Sequence, residues 1–302
     1  MTTQKQPLAR GFCGSYVFVP NHCRRLCGLL RPSAVYTLTQ SRPGGRSFQP
    51  IFLMTISPLP QYLANAFDLK QHLQDFLGLD SEKLEFRLAQ SKQQLAELGH
   101  RDFDWGQAQE FYREQVGDIY LFELAAWHLS SREYIGDTIR LIADHGRGRL
   151  LDFGGGIGTQ AIAAALCPQI ERVIYCDLNP INQQFVQYRC QQLGLTDKIE
   201  CCTTLPPGKF DTIQCFDVLE HLPNPAEQLL NFASLLTPEG RLIVNWYFFK
   251  GFEQEFPFHL DDPQQIDQFF LTLQKQFLEI FHPYFTTTRC YRLSPAELES
   301  GN

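Results

Sequence analysis

Residues 150–160 read LLDFGGGIGTQ: a short apolar run, an aspartate, then four glycines among five positions. Glycine weakens helices and strands alike. Stacking it here demands a backbone that turns sharply, or one approached too closely to tolerate a Cβ. Around this turn the chain alternates. RLLDF before it suits a strand buried on both faces, and GTQAIAAALC after it reads as a helix. RVIYCD is a second strand. NPINQQFVQYRCQQLG follows as a helix, with Asn179 as N-cap, Pro180 at the first helical position and Gly194 just past the end. KIECC and FDTIQCF are further strands, and NPAEQLLNFASLL repeats the Asn-Pro helix start. GRLIVNWYFF reads as another strand and FHPYFTTTRCYRL as closing strand material. The alternation predicts an open, doubly wound α/β sheet with right-handed crossovers, and ligands beyond the C-terminal strand ends.

Upstream of this half, residues 60–145 read as helical. SEKLEFRLAQSKQQLAEL has Ser81 as its cap, an acid in the first turn and leucines at helical spacing. GQAQEFYREQV continues the pattern, and DIYLFELAAWHLSSREYIGDTIRLIADH reads as two helices. Phe111, Tyr112, Tyr120, Phe122 and Trp127 are expected mainly as core, with Tyr120 and Trp127 also able to close a site from the helical side. The first 53 residues differ in kind: they carry seven basic residues and no acid, so a net charge of −7 becomes −14 over residues 54–302. Three readings are open for them: a disordered tail or upstream sequence before a start at Met54, an organellar transit peptide, or a small arm binding metal through Cys13, His22, Cys23 and Cys27. The expected division is therefore a leader over 1–53, a helical cap over 54–145 and a ligand-binding domain over 146–295.

Ten cysteines fit no disulfide framework and no common zinc spacing, so reduced thiols are expected. There is no apolar run of 18 residues, hence no expected membrane span. The acidic balance argues against nucleic acid, whose phosphates call for a basic surface.

The turn must reverse the chain, admit a ligand to the backbone and open a helix toward it. A dinucleotide fingerprint would need a glycine where Thr159 stands; the pattern here is D-x-G-G-G-x-G, with Asp152 two residues before Gly154. Asp177 ends the second strand, nineteen residues after Gly158. A carboxylate there accepts from both hydroxyls of a ribose, which NAD and S-adenosylmethionine share. Asp152 discriminates between them: it would repel a pyrophosphate yet help orient an ammonium.

LLDFGGGIG, VIYCDLNP and FDTIQCFDVLEHLPNPAEQLLNFASLLTPEGRLIV, in that order, resemble class I S-adenosylmethionine-dependent methyltransferases. The nearest likeness is to the small-molecule group that includes ubiquinone-biosynthesis O-methyltransferases. It implies a Rossmann-like sheet, mostly parallel with a C-terminal antiparallel strand, plus the N-terminal helical cap. It also implies S-adenosyl-L-methionine as cofactor, with S-adenosyl-L-homocysteine as product, and a small-molecule acceptor, O-methylation favoured. By the same resemblance Asp152, Gly154, Gly155, Gly156 and Gly158 line the methionine and sugar side, and Asp177 binds the ribose hydroxyls. Leu178 packs on the adenine, and Phe216 and Asp217 lie beside the sulfonium. The chain departs from the family after the third strand, where ECCTTLPPGKFD lacks the aspartate that many relatives use for the adenine amino group; Thr203 or a backbone carbonyl stands in.

Methyl transfer needs a proton acceptor only when the nucleophile holds a proton. His221, in LEHLP, and His259, in FPFHLDD, are the expected catalytic candidates, beside structural readings for each. No metal is expected: Glu220 and His221 alone are too few ligands. In WYFF, alternate side chains must face opposite ways, so at most half of Trp246, Tyr247, Phe248 and Phe249 line a pocket. Competing functions are a protein methyltransferase, a cofactor-binding homologue without turnover and an NAD-dependent oxidoreductase. A cytoplasmic location is expected, or an organellar one if the leader is a transit peptide.

Overall fold

A computed structural model describes residues 57–284 and 286–295, all within the unit Leu53–Asn302. The three readings of residues 1–53, including the cluster of Cys13, His22, Cys23 and Cys27, lie outside the described residues.

Seven strands form one sheet: β1 (Gly148–Phe153), β2 (Ile170–Cys176), β3 (Ile199–Cys202), β4 (Phe210–Cys215), β5 (Leu236–Val244), β6 (Phe277–Ile280) and β7 (Arg289–Leu293). Their order is β3-β2-β1-β4-β5-β7-β6. Pairings from β3 through β5 are parallel, whereas β7 runs antiparallel to both neighbours. This is the expected Rossmann-like sheet. The order reverses between β1 and β4, which opens a crevice at their C-terminal ends, where Gly154 and Phe216 begin the following loops.

The helices are α1 (Leu59–Asn65), α2 (Leu69–Leu77), α3 (Ser81–Asp102), a short α4 (Ala108–Glu110), α5 (Ile119–Ser130), α6 (Arg132–His145), α7 (Thr159–Leu166), α8 (Pro180–Leu193), α9 (Pro225–Leu235) and α10 (Pro263–Gln276). Among the described residues no helix is long and apolar enough to cross a membrane. The all-round apolar composition of α7, TQAIAAAL, fits its burial: every residue from Thr159 to Ala165 is buried. One apolar core joins the first two helices, α5 to α8 and the β1–β2 face; a second lies under α9 and α10. All seven described cysteines are free.

Local chemistry explains most boundaries. Asn179 accepts from the amides of Ile181 and Asn182, Pro180 opens α8, and Gly194 closes it in the left-handed conformation. Asn224 caps α9 in the same way. The expected cap Ser81 is instead the first helical residue of α3: Asp80 one place earlier accepts from Lys83, because its carboxylate reaches the free amides while Ser81 already holds helical geometry. GQAQEFYREQV is not one helix but a 3-10 turn, α4 and a π-helical turn over Phe111–Gln115. Nor does GRLIVNWYFF stay in the sheet. β5 ends at Val244, and the next residue, Asn245, bonds Asp217 through its carboxamide while its amide still donates to the Cys215 carbonyl at 3.3 Å. Among the described residues of FHPYFTTTRCYRL, only Arg289–Leu293 is strand.

Candidate functional site: a cleft between the glycine turn and the cap

The turn after β1 is held by three kinds of contact. Gly154 donates to the Cys176 carbonyl at 2.7 Å, which ties the turn to the end of β2. Tyr175 donates its hydroxyl to the Gly156 carbonyl at 2.6 Å. Asp177 accepts from the Gly156 amide through Oδ2 and from the Asn179 amide through Oδ1, both at 2.8 Å. Gly156 stands at φ +51, and a Cβ there would lie 2.9 Å from Leu124 on α5. Gly154, at φ +70, would drive a Cβ into Val218 at 2.4 Å. Both reasons for glycine, sharp turning and close approach, hold at these positions.

Two buried carboxyls flank the turn. Asp152 is 1% exposed, with Oδ2 unpartnered, and its cross-strand neighbour on β4 is Gln214. Burial, with repulsion from Asp177, pushes Asp152 up to about 7. Burial also raises Asp177, to about 6, against the pull of its bonds from Asn179 and Gly156. Leu178 is half-buried beside it, and Thr203 is exposed beyond β3.

Across the crevice, Asp217 adopts φ +53, a conformation held by Asn245: the Asp217 amide donates to Asn245 Oδ1 at 2.6 Å, and Asn245 Nδ2 donates to Asp217 Oδ1 at 2.8 Å. The same Nδ2 donates to the Tyr134 hydroxyl at 2.8 Å, which brings the cap into the network. Glu220 is buried with Oε2 unpartnered, and burial followed by repulsion from Asp217 raises its carboxyl well above the usual range. His221 Nδ1 meets the Tyr112 hydroxyl at 2.9 Å and the Phe258 carbonyl at 3.3 Å. His259 Nδ1 meets the Phe249 carbonyl at 3.0 Å. The two imidazoles lie edge to face, 4.7 Å apart. Burial lowers both, His259 to about 4, so they are neutral at neutral pH.

Thus the chain brings His221 and His259 together, although 38 positions separate them. Glu220, His221 and His259 each offer a ligand atom, all within 4.8 Å of one another. His259 thus adds one candidate ligand to the adjacent Glu220 and His221, a carboxyl and two neutral imidazoles in all.

Tyr120, Leu124 and Trp127 from α5 line the cavity together with Asp152, the glycine turn, Phe216 and Asp217. Of the aromatics expected mainly as core, Phe111 and Phe122 are buried in it, whereas Tyr112 and Tyr120 face the acidic side of the cleft and Trp127 is 39% exposed. Phe248 and Trp246 pack on α10 while Tyr247 and Phe249 turn the other way, so the expected alternation holds outside the strand. Glu123 was missed. It stands on α5 beside Asp217, and burial raises its carboxyl to about 7. The available signal was one acid inside the apolar run IYLFELAAW.

A family model described as a methyltransferase domain matches residues 126–269. Over that span the chain is similar to methyltransferase domains. Over 123 residues it is 31% identical to the ubiquinone biosynthesis O-methyltransferase of Xanthomonas euvesicatoria pv. vesicatoria, covering 37% of this chain and 47% of that protein. The ubiquinone biosynthesis O-methyltransferase of Coxiella burnetii is 30% identical over 122 residues, with the same coverages of 37% and 47%. The chain thus spans about half the length of the curated relatives it matches. Among solved structures, the methyltransferase domain is similar to an S-adenosylmethionine-dependent methyltransferase from Clostridium acetobutylicum, with a TM-score of 0.41, 13% identity, and coverage of 58% of this chain and 98% of that one.

Proposed function

We propose that the chain transfers the methyl group of S-adenosylmethionine to a small-molecule acceptor, with a hydroxyl oxygen the favoured nucleophile. The observation that carries this reading is the glycine turn: left-handed glycines open α7 beside a buried carboxylate, Asp177, that already organises the Gly156 amide. The residues present fit the cofactor. Asp152 Oδ2, buried and unpartnered, is an acceptor suited to the ammonium of the amino-acid tail. Asp177 keeps lone pairs for the ribose hydroxyls, and Leu178 offers an apolar side chain to the adenine. Phe216 and Asp217 would face the sulfonium. Thr203, exposed past β3, remains the proposed adenine contact.

Between α5 and the turn the cavity is about 40 Å³, against roughly 300–1,000 Å³ for ordinary small-ligand sites. Admission therefore requires the lining side chains to give way, and Tyr120, Leu124 and Trp127 of α5 are placed to exclude water from a bound ligand. When bound, S-adenosylmethionine supplies a methyl carbon already activated on sulfur, so positioning provides most of the rate. The acceptor oxygen forms its bond to carbon as the carbon–sulfur bond breaks, leaving S-adenosylhomocysteine. His221 Nε2, with His259 Nε2 beside it, takes the hydroxyl proton. With the ring proton on each Nδ1, facing the carbonyls of Phe258 and Phe249, Nε2 is left as the acceptor.

Parallel calorimetric titrations with S-adenosylmethionine, S-adenosylhomocysteine and NADH test the reading. Binding of the two sulfur ligands without NADH is expected; NADH alone would make the oxidoreductase reading correct. Transfer of labelled methyl to a panel of small hydroxyl compounds and to proteins separates an enzyme from a homologue that only binds, and small acceptors from protein ones.

A further inference from the structure

Arg189, on the inward face of α8, is fully buried, yet forms no ion pair among the described residues. Its two terminal nitrogens donate to backbone carbonyls instead, while Nε is buried without a partner. Nη1 donates to the Ile157 carbonyl at 2.8 Å and reaches Thr159 Oγ1 at 3.5 Å. Nη2 donates to the carbonyls of Ala66 at 3.0 Å and Phe67 at 3.2 Å. Ile157 lies between Gly156 and Gly158 in the cofactor turn, and Thr159 opens α7. Ala66 and Phe67 form the link between α1 and α2 of the cap. One planar fork therefore holds two segments more than ninety positions apart.

The cap segment is itself unusual. Ala66, Phe67 and Asp68 stand consecutively in the left-handed region, at φ +55, +57 and +58. Side chains with a Cβ avoid that region, so such a run persists only where its surroundings impose it. Asn65 and Asp68 bracket it from outside through reciprocal bonds at 2.5 and 3.2 Å. Arg189 gathers its carbonyls from inside. A buried guanidinium with no carboxylate partner is costly, and an apolar residue would fill the same space without that cost. What the guanidinium alone provides is a rigid fork that reaches both segments at once; an ammonium is a single point and cannot.

We propose that Arg189 is a positioning residue that couples docking of the cap link at residues 66–67 to the shape of the cofactor turn, so that cofactor affinity depends on the cap. This rests on the reading that the glycine turn holds S-adenosylmethionine. The cap then touches the turn at two points: Leu124 on α5 covers Gly156 and is displaced by the ligand, while Arg189 holds Ile157 from behind and stays.

The test measures S-adenosylhomocysteine affinity and thermal unfolding of the full chain and of Arg189→Lys and Arg189→Met. If the parent chain does not bind, the cofactor reading itself fails. If it binds, Arg189→Met should weaken affinity at least tenfold, and Arg189→Lys should fall between the two. Lower thermal stability with unchanged affinity in both variants would overturn the proposal, since a packing role alone gives that result. Hydrogen exchange on the parent chain keeps the proposal falsifiable if Arg189→Met fails to fold. S-adenosylhomocysteine should slow exchange in residues 62–68 as well as in the turn, and protection confined to the turn would refute the coupling.

Discussion

The two sides of the cleft are built by opposite means. The proposed cofactor side comes from short contiguous stretches, residues 152–158 and 177–179, held by backbone amides that donate to the Asp177 carboxylate and to the Cys176 carbonyl at the end of β2. The opposite side is assembled from Tyr112, Tyr120 and Glu123 of the cap region, Asp217 to His221 after β4, and Asn245 to His259 after β5. A turn whose shape is fixed by φ angles tolerates little substitution. A chamber made of side chains from three segments tolerates changes of shape, but not the loss of a buried polar partner. The difference teaches where binding and chemistry separate: the first side is suited to hold one ligand rigidly, and the second to tune protons.

Experiments can break this contrast. The largest effect is expected from Gly156→Val, which sets a branched side chain at φ +51 against Leu124. S-adenosylhomocysteine binding should vanish while a cooperative thermal transition persists; normal binding would remove the turn from the site. His221→Gln on the other side should lower turnover roughly a hundredfold or more, the scale of a lost proton-handling group, with cofactor affinity nearly intact. Equal losses of affinity and turnover would mean the two sides are not separate. Asp177→Ala should cost about 1.5–3 kcal/mol of cofactor binding through lost charge-assisted bonds, read by calorimetry.

A pH series sharpens the electrostatics. Asp152 is raised from 3.8 to about 7 by burial, so it is protonated in the folded chain at mildly acidic pH. Its contribution to stability is thus fully present below 3.8, declines as pH rises, and is gone once pH has passed about 7, where the buried carboxyl must ionise. Binding an ammonium has the opposite sign, because it requires the carboxylate. Cofactor affinity should tighten roughly tenfold from pH 6 to pH 8, and Asp152→Asn should flatten that slope. The smallest effect belongs far from the cleft: Asp80→Ala should lower the thermal midpoint slightly as a lost helix cap, without changing affinity.

Legibility followed the range of the interactions. Asn179, Pro180 and Gly194 bound α8 as read, because capping acts over three or four residues. Asp80 displaced Ser81 as the cap of α3, since two adjacent capping residues compete and sequence alone does not rank them. Asp152 and the glycines could be placed because β1 ends directly at the turn. Glu123 could not, because a carboxylate in an apolar helix declares itself only when its neighbours, here Asp217, are known. Arg189 reads as one more charged residue on a helix until its partners, Ile157 and Ala66, are seen beside it.

The amino-acid sequence by itself determined the alternation of strands and helices from β1 to β5, the glycine turn and the acid that ends β2, because periodicity, capping and left-handed backbone are local properties. Only the tertiary structure decided that His221 and His259 meet, that Asp152 and Glu220 are buried with an oxygen unpartnered, and that the cap is bound to the turn through Arg189. Those facts depend on which distant segments exclude water from one another, and desolvation is a property of the packed chain that no single stretch contains.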